Sequence, residues 1–309
     1  MNQLETPVAF MVFNRPETTR RVFAAIAAAR PSRLLLIADG ARANRPGEAE
    51  RCQLVRQVVT AVDWPCKVET NFAAENMGCR RRVVSGLNWV FSLVEEAIIL
   101  EDDCLPDPSF FPFCTEMLER YRDESRVGVI YGYNALENIV PRTYSYLFSR
   151  MVGPWGWATW RRAWKEYDEN LRSWPQMKAN GLLQRILPDQ KSVAYWTRIL
   201  DGMYDGTGTD TWDYQWIYTT WAKDWLCIVP TPNLIHNIGF GPEATHTHGT
   251  DPGPYLSRPA HTMNFPLRHP PAVTEWRSHI VEMQRRVYAP SILRRVQRRL
   301  RLQLRSKSS

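Results

Sequence analysis

Up to the acidic triplet at Glu101, the chain alternates between two kinds of hydrophobic pattern. Short apolar runs fit buried strands: Thr6 to Asn14 (TPVAFMVFN), Arg33 to Ala38 (RLLLIA) and Ile98 to Leu100, while Cys66 to Asn71 reads as a further strand. Between them lie segments predicted as helices. One runs from about Glu17 to Ala29, led by Pro16 with Asn14 and Arg15 near its cap, and a second covers Ala49 to Val62. A third opens after Asn76 and runs to about Val94, with Val83, Val84, Leu87, Val90 and Phe91 along one side. Strand and helix in alternation predict an α/β fold, a Rossmann-like and mostly parallel sheet with helices on both faces.

Beyond the triplet the pattern is less regular. Pro106 and Pro108 forbid continuation of the acidic strand as a regular strand. After Pro112 a helix reaches about Asp123, Val127 to Tyr131 reads as a strand, and Arg142 to Phe148 reads as an edge strand. Gly153 to Trp160 (GPWGWATW) alternates small and aromatic residues. That suits either a backbone lying close to a ligand beside an aromatic wall, or a packed turn of core tryptophans. Arg161 to Tyr167, Pro175 to Leu187 and Ser192 to Leu200 read as helices. Within Thr209 to Trp225, Trp212, Trp216, Ile217, Thr220 and Trp221 recur at helical spacing, and Leu226 to Val229 is a last strand. Ser291 to Leu304 sets Ile292, Leu293, Val296, Leu300 and Leu304 along one side, with Arg elsewhere. Such a basic amphipathic helix suits an anionic bilayer surface, with calmodulin-like or nucleic-acid contact and a merely solvated end as competing uses.

Composition narrows the classes. The 309 residues are 44% hydrophobic and 23% charged, within the range of an ordinary globular protein with ample core. The net charge of +7 is uneven, for Arg285 to Lys307 holds no acidic residue. Met1 to Thr6 is polar and Val8 to Phe13 is too short for a signal-peptide core, and no apolar run reaches membrane-spanning length. Six cysteines without C-x-x-C spacing read as reduced thiols of a cytoplasmic protein. A G-x-G-x-x-G turn is missing, which argues against a nicotinamide-dinucleotide dehydrogenase, and so is a GK[ST] phosphate loop.

The candidate chemistry gathers at strand ends. Glu101, Asp102 and Asp103 follow an apolar run directly, at the edge where open α/β sheets place ligands. Clustered carboxylates repel one another unless a cation is near, and hard oxygens suit Mg²⁺ or Mn²⁺; a solvated acidic turn would carry the same letters. Asp39-Gly40 ends the second strand and can offer a carboxylate to a base or ribose, or form a simple loop. Arg80, Arg81 and Arg82 open a helix against its dipole, which fits a phosphate-facing role for at least one of them, here assigned to Arg81, or else a solvated basic turn. Asp213 begins the aromatic helix, as a general base or as a cap. Three of the six histidines fall at 236, 246 and 248, of which His246 and His248 could complete a metal or phosphate site.

Six segments in this order, TPVAFMVFNRPETTRR, LLLIADG, ENMGCRRRVVSGLNWVF, IILEDDCLPDPSFFPF, PWGWATWRRAW and WDYQW through NIGFG, resemble GT-A glycosyltransferases. The likeness is to bacterial relatives of the N-acetylglucosaminyltransferase I group and covers about residues 6 to 250. It implies a glycosyltransferase domain over 1–250, with a nucleotide-sugar half to about 135 and an acceptor half after it, and an extension over 251–309. It implies a metal-dependent, inverting transfer from a nucleotide-diphosphate sugar, with UDP-GlcNAc favoured, to a glycan or lipid-linked acceptor of a bacterial surface polysaccharide. By that likeness Asp103 binds Mn²⁺ or Mg²⁺, Glu101 and Asp102 lie beside ribose and sugar, and Arg15 and Asp39 contact the nucleotide; His246 joins Asp103 as a candidate ligand from the loop histidines alone, which could equally be surface or structural. Trp157 would stand at the donor, and Asp213 would deprotonate the acceptor. The family carries two adjacent acids in that last segment, whereas this chain has Asp213-Tyr214. Membrane contact through the tail would bring the enzyme to the inner face of the cell membrane. A protein of the same fold that binds nucleotide or carbohydrate without turnover is the alternative. Nucleic-acid binding is not expected, because the positive charge is confined to one end and the interior is acid-bearing.

Overall fold

The computed structural model describes residues 3–137, 139, 143–151, 153–240, 255 and 258–288. Its centre is an eight-stranded sheet in the order β3-β2-β1-β4-β8-β6-β9-β7. The first four are β1 (Val8–Val12), β2 (Arg33–Ala38), β3 (Lys67–Phe72) and β4 (Glu96–Glu101), all mutually parallel. Helices α1 (Pro16–Ala29), α2 (Glu48–Thr60) and α3 (Cys79–Leu93) make the crossovers, so the predicted α/β class with a mostly parallel sheet is the observed one. Every residue of β1 is buried, as is each of β2 after Arg33, which is why these strands read as unbroken apolar runs.

The second half threads into the same sheet. β6 (Val127–Tyr131) and β9 (Leu226–Pro230) run parallel to each other, while β7 (Tyr146–Ser149) lies antiparallel at the edge. The Gly-Trp stretch is no turn after its first residues: Trp157–Trp160 is β8, antiparallel to both β4 and β6 and wedged between them. Its place joins the stretches before and after residue 135 into one sheet. The acidic strand does not simply stop at its prolines either. Cys104–Pro106 forms β5, which pairs with β10 (Ile235–Asn237) in a separate two-stranded ladder.

Further helices are α4 (Phe110–Arg120), α5 (Arg161–Trp164), α6 (Trp174–Ala179), α7 (Leu182–Ile186), α8 (Gln190–Tyr204) and α9 (Asp213–Ala222). The helix expected over Pro175 to Leu187 is two, because Gly181 adopts φ 70° and breaks the ladder between α6 and α7. Past residue 257 the chain packs back on the body. Met263 N–H donates to Ser109 Oγ at 2.8 Å and Trp276 N–H to the Phe148 carbonyl at 2.7 Å. It then enters α10 (Arg277–Met283) and a single π-helical turn, Gln284–Tyr288. The basic helix expected over Ser291 to Leu304 lies outside the described residues, as do His246 and His248. Among the described residues no helix is long and apolar enough to cross a membrane.

Candidate active site

Register decides where the acids meet. Met11 pairs with Glu101 and Val12 with Ala38, so the carboxyl ends of β1, β2 and β4 stop level with one another. The chain leaves β1 toward β2 and β3 on one side and returns to β4 on the other. The gap between β1 and β4 is therefore a topological switch point, the usual crevice for a ligand in an open α/β sheet. A cavity of about 620 Å³ opens there. Arg15, Asp39, Glu101, Asp102, Asp103 and Asp213 all line it.

Arg15 stands just before α1 and binds two of the acids at once. Its Nη2 donates to Asp102 Oδ1 in a short contact, and its Nη1 donates to Asp103 Oδ2 at 3.1 Å. Asp102 is buried, and its other oxygen accepts the Phe13 N–H at 3.4 Å. Burial pushes the Asp102 carboxyl up to about 6 despite the guanidinium, and pushes Glu101, beside Asp103 and Asp102, well above the usual carboxylate range. Burial alone would lower Arg15, but the two carboxylates outweigh it and hold the guanidinium firmly protonated.

Asp39 follows the last residue of β2 and serves as a hub. Its carboxylate accepts from Gly40 N at 2.9 Å, Met77 N at 2.9 Å and Asn76 Nδ2 at 3.0 Å. Its pKa rises nonetheless, because desolvation exceeds these bonds. The side chain thus ties the loop before α3 to the sheet edge. Gly40 has to be glycine there, since a Cβ would sit 2.4 Å from the Glu75 backbone carbon.

Residues 210–214 supply another part of the cavity lining. Asp213, the first residue of α9, accepts from Thr211 Oγ1 in a short contact and from Tyr214 N at 3.0 Å. Asp210 reaches across to α3 and accepts the Cys79 N–H at 3.0 Å, satisfying one of the orphan donors of that helix. Gly239, after β10, presses on the acidic turn: Ile238 N–H donates to the Asp103 carbonyl at 2.8 Å, and a Cβ on Gly239 would meet Asp103 Oδ2 at 2.2 Å.

Two expected residues stand apart from the cavity. Arg81 is exposed and absent from the walls; its neighbour Arg82 lines them, buried and held by Asn71 Oδ1 at 2.5 Å. On a helix the adjacent residue points about 100° away, so a run of three arginines does not say which one faces inward. Trp157 is 1% exposed and stacks on Trp212 within the aromatic core, at a 5.3 Å centroid distance, while Trp155 reaches the cavity instead. Gly156, at φ 60°, turns the chain between Trp155 and β8, so Trp157 enters the core with its strand while Trp155 stays at the cavity. Arg42, Asn76, Cys79 and Asn237 also line the walls; the last three lie in segments that carried the resemblance but were given no role.

Among the described residues no three His, Cys, Asp or Glu side chains converge on a common metal position. The acids fit a cation of another kind, one shared with substrate. Mg²⁺ and related ions are commonly held by one or two carboxylates together with phosphate oxygens. Asp103 suits this best, because Asp102 is engaged at both oxygens whereas Asp103 Oδ1 meets only the weak Cys104 Sγ donor at 3.4 Å.

No protein-family model matches the chain, and no curated protein does. Among solved structures the chain is similar to UDP-glucose pyrophosphorylase complexed with UDP-glucose. That likeness has 11% identity and a TM-score of 0.27, over 47% of this chain and 62% of that one, so this chain spans under two thirds of its length. It is also similar to apo UDP-glucose pyrophosphorylase, at 9% identity and a TM-score of 0.35, over 74% of this chain and 93% of that one. Likeness of this degree bears on neither activity nor substrate.

Proposed function

We propose that the chain is a metal-assisted, inverting glycosyltransferase. It would move a sugar from a nucleotide-diphosphate donor, with UDP-GlcNAc the favoured candidate, to a glycan or lipid-linked acceptor of a bacterial surface polysaccharide, at the inner face of the cell membrane. The observation that carries this reading is a single cavity at the sheet's switch point, with the Arg15–Asp102–Asp103 cluster and Asp213 both in its lining. A divalent cation on Asp103 would neutralise charge developing on the departing diphosphate. Arg15 is the cation already present beside that oxygen set and can pair a phosphate in the same plane in which it now pairs two carboxylates. Asp39 and Asn76 form a fixed polar corner at the end of β2 for the nucleoside. Asp213 takes the proton of the acceptor hydroxyl as that oxygen attacks the anomeric carbon. A diphosphate leaves without a protonated acid, so one base opposite the leaving group is sufficient and the configuration inverts.

Release of nucleoside diphosphate from UDP-, GDP- and dTDP-sugars, with Mn²⁺ or EDTA, tests this on wild type and Asp103→Ala. Metal-dependent release from one donor, lost in the variant, is the expected result. If no donor turns over and nucleotide still binds, the reading gives way to a binding protein of the same fold. If neither turnover nor binding occurs, both fail.

A further inference from the structure

Between α8 and α9 the chain runs through residues 205–212, of which 205–210 are exposed and two, Gly206 and Gly208, are glycines. A loop of this kind has little of its own to fix its course. Yet it delivers Asp213 to the cavity, and two ties hold its end. The Trp212 carbonyl accepts the Tyr167 hydroxyl at 3.0 Å, and the Trp212 ring stacks on Trp157. Asp210 makes the other tie, to the start of α3, 131 residues earlier. Its Oδ2 accepts the Cys79 N–H at 3.0 Å, and its Oδ1 lies 3.9 Å from Arg80 Nε. Gly78 precedes α3 and has no side chain to cap it, and a Cβ there would come within 2.9 Å of Asp210 Oδ2. Thr211 sits between the two ties and donates its hydroxyl hydrogen to Asp213 Oδ1 in a short contact. A line of contacts therefore leads from α3 through Asp210 and Thr211 to Asp213.

We propose that Asp210 is a positioning residue for the base Asp213, acting through Thr211 by fastening the loop to the start of α3. The proposal rests on the glycosyltransferase reading and deepens it with a residue that need not touch either substrate. Magnitudes separate this role from a purely structural one. The Asp210 side chain is 55% exposed and that of Arg80 33%, and an ion pair so open to water adds little to stability. Rate is far more sensitive than stability to a small displacement. Moving a reacting group by about 1 Å can cost about 100-fold. What the contact fixes is the backbone of Thr211, and with it the direction from which the Asp213 carboxylate is held. Loss of Asp210 therefore acts on turnover and leaves folding and nucleotide binding almost untouched.

A double-mutant cycle tests this, read as nucleoside-diphosphate release with Mn²⁺ from the donor that wild type turns over. Asp210→Ala should lower kcat about 10–100-fold, with nucleotide Kd within about twofold and Tm within about 2 °C of wild type. In the Asp213→Asn background the same change should cost less than about twofold, because the two residues act as one unit. Asp210→Asn, whose amide oxygen can accept the same N–H, should recover most of the loss. Should Asp210→Ala fail to fold, Thr211→Val takes its place in the cycle, with Thr211→Ser as its conservative partner. Four results overturn the inference and leave the transferase reading standing. They are a kcat untouched by Asp210→Ala, equal losses with and without Asp213, an Asp210→Asn as slow as the alanine variant, and a Kd that weakens as far as kcat falls. No turnover of any donor by wild type overturns the transferase reading, and the positioning role goes with it.

Discussion

Arg15 holds the acidic turn together, and Arg15→Met tests how strongly. The guanidinium is 18% exposed and Asp102 only 3%, so this pair is far from a solvated surface bridge. Methionine keeps most of the volume but removes the charge and both donors. Asp102 would then keep one backbone donor, Phe13 N–H at 3.4 Å, and no counter-charge at contact. Breaking a buried pair from one side costs about 3–5 kcal/mol. Unfolding entropy of ~2.1 cal/mol/K per residue, taken over 309 residues, gives ~0.65 kcal/mol/K and hence a fall of about 5–8 °C in Tm near pH 8.

The pH dependence makes the prediction sharper. Asp102 has its folded pKa raised to about 6, so the stability tied to its neutral form is fully present below the ordinary aspartate value of 3.8 and lost as pH rises through 6. Without Arg15 the carboxyl rises further, and the loss extends to higher pH. The gap between wild type and variant should therefore be small at pH 5 and widen toward pH 8, followed by thermal unfolding in matched low-salt buffers. A gap that is constant with pH, or larger at pH 5, would refute the idea that Arg15 stabilises by countering a buried carboxylate.

Gly239→Ala puts a methyl within 2.2 Å of Asp103 Oδ2 and must displace that carboxylate; about 1–3 kcal/mol of stability and at least tenfold in Mn²⁺-dependent nucleotide affinity should go, read by calorimetry with and without metal. Asp213→Asn keeps the shape and removes the base, so kcat should fall by about 10²–10⁴ while nucleotide Kd holds; equal losses in both would show a structural role. Cys79 has its thiol pushed up to about 12, by burial first and then by Glu101, Asp210 and Asp213, so little thiolate forms at pH 8. Its alkylation by iodoacetamide, timed by mass spectrometry, should be slow in the native protein and fast in denaturant, and rapid native labelling would contradict the site's electrostatics.

β1, β2 and β4 are legible in the sequence because they are buried on both faces, unlike the edge strand β3. Apolar runs such as Arg33–Ala38 then mark both the strand and its end, and the polar residue that follows, Asp39 or Asp102, is by construction at the ligand edge. A strand end is a position along the chain, so the sequence can carry it. Which residue of a helix or strand faces the cavity is an angular question, and there the letters say less. Arg81 and Trp157 each sit one or two positions from the residue that reaches the wall, Arg82 and Trp155 respectively.

The part that stayed hidden depends on contacts between distant segments. β8 reads as a glycine-rich turn because only four of its residues pair, yet its insertion beside β4 determines what the acidic turn faces. The aromatic core formed by Trp157, Trp164, Trp212 and Trp216 is what ties β8 to the start of α9. Asp213 thereby reaches a cavity whose other wall is more than a hundred residues earlier in the chain. Neither segment carries a local signal for the other. The nearest to one is glycine itself: Gly156, at φ 60°, has no room for a Cβ beside Ile235, and Gly239 has none beside Asp103. Gly156 records the close approach of β10 to the start of β8, and Gly239 that of the segment after β10 to the acidic turn. Crowding of that kind is a long-range contact that leaves a trace in a single sequence.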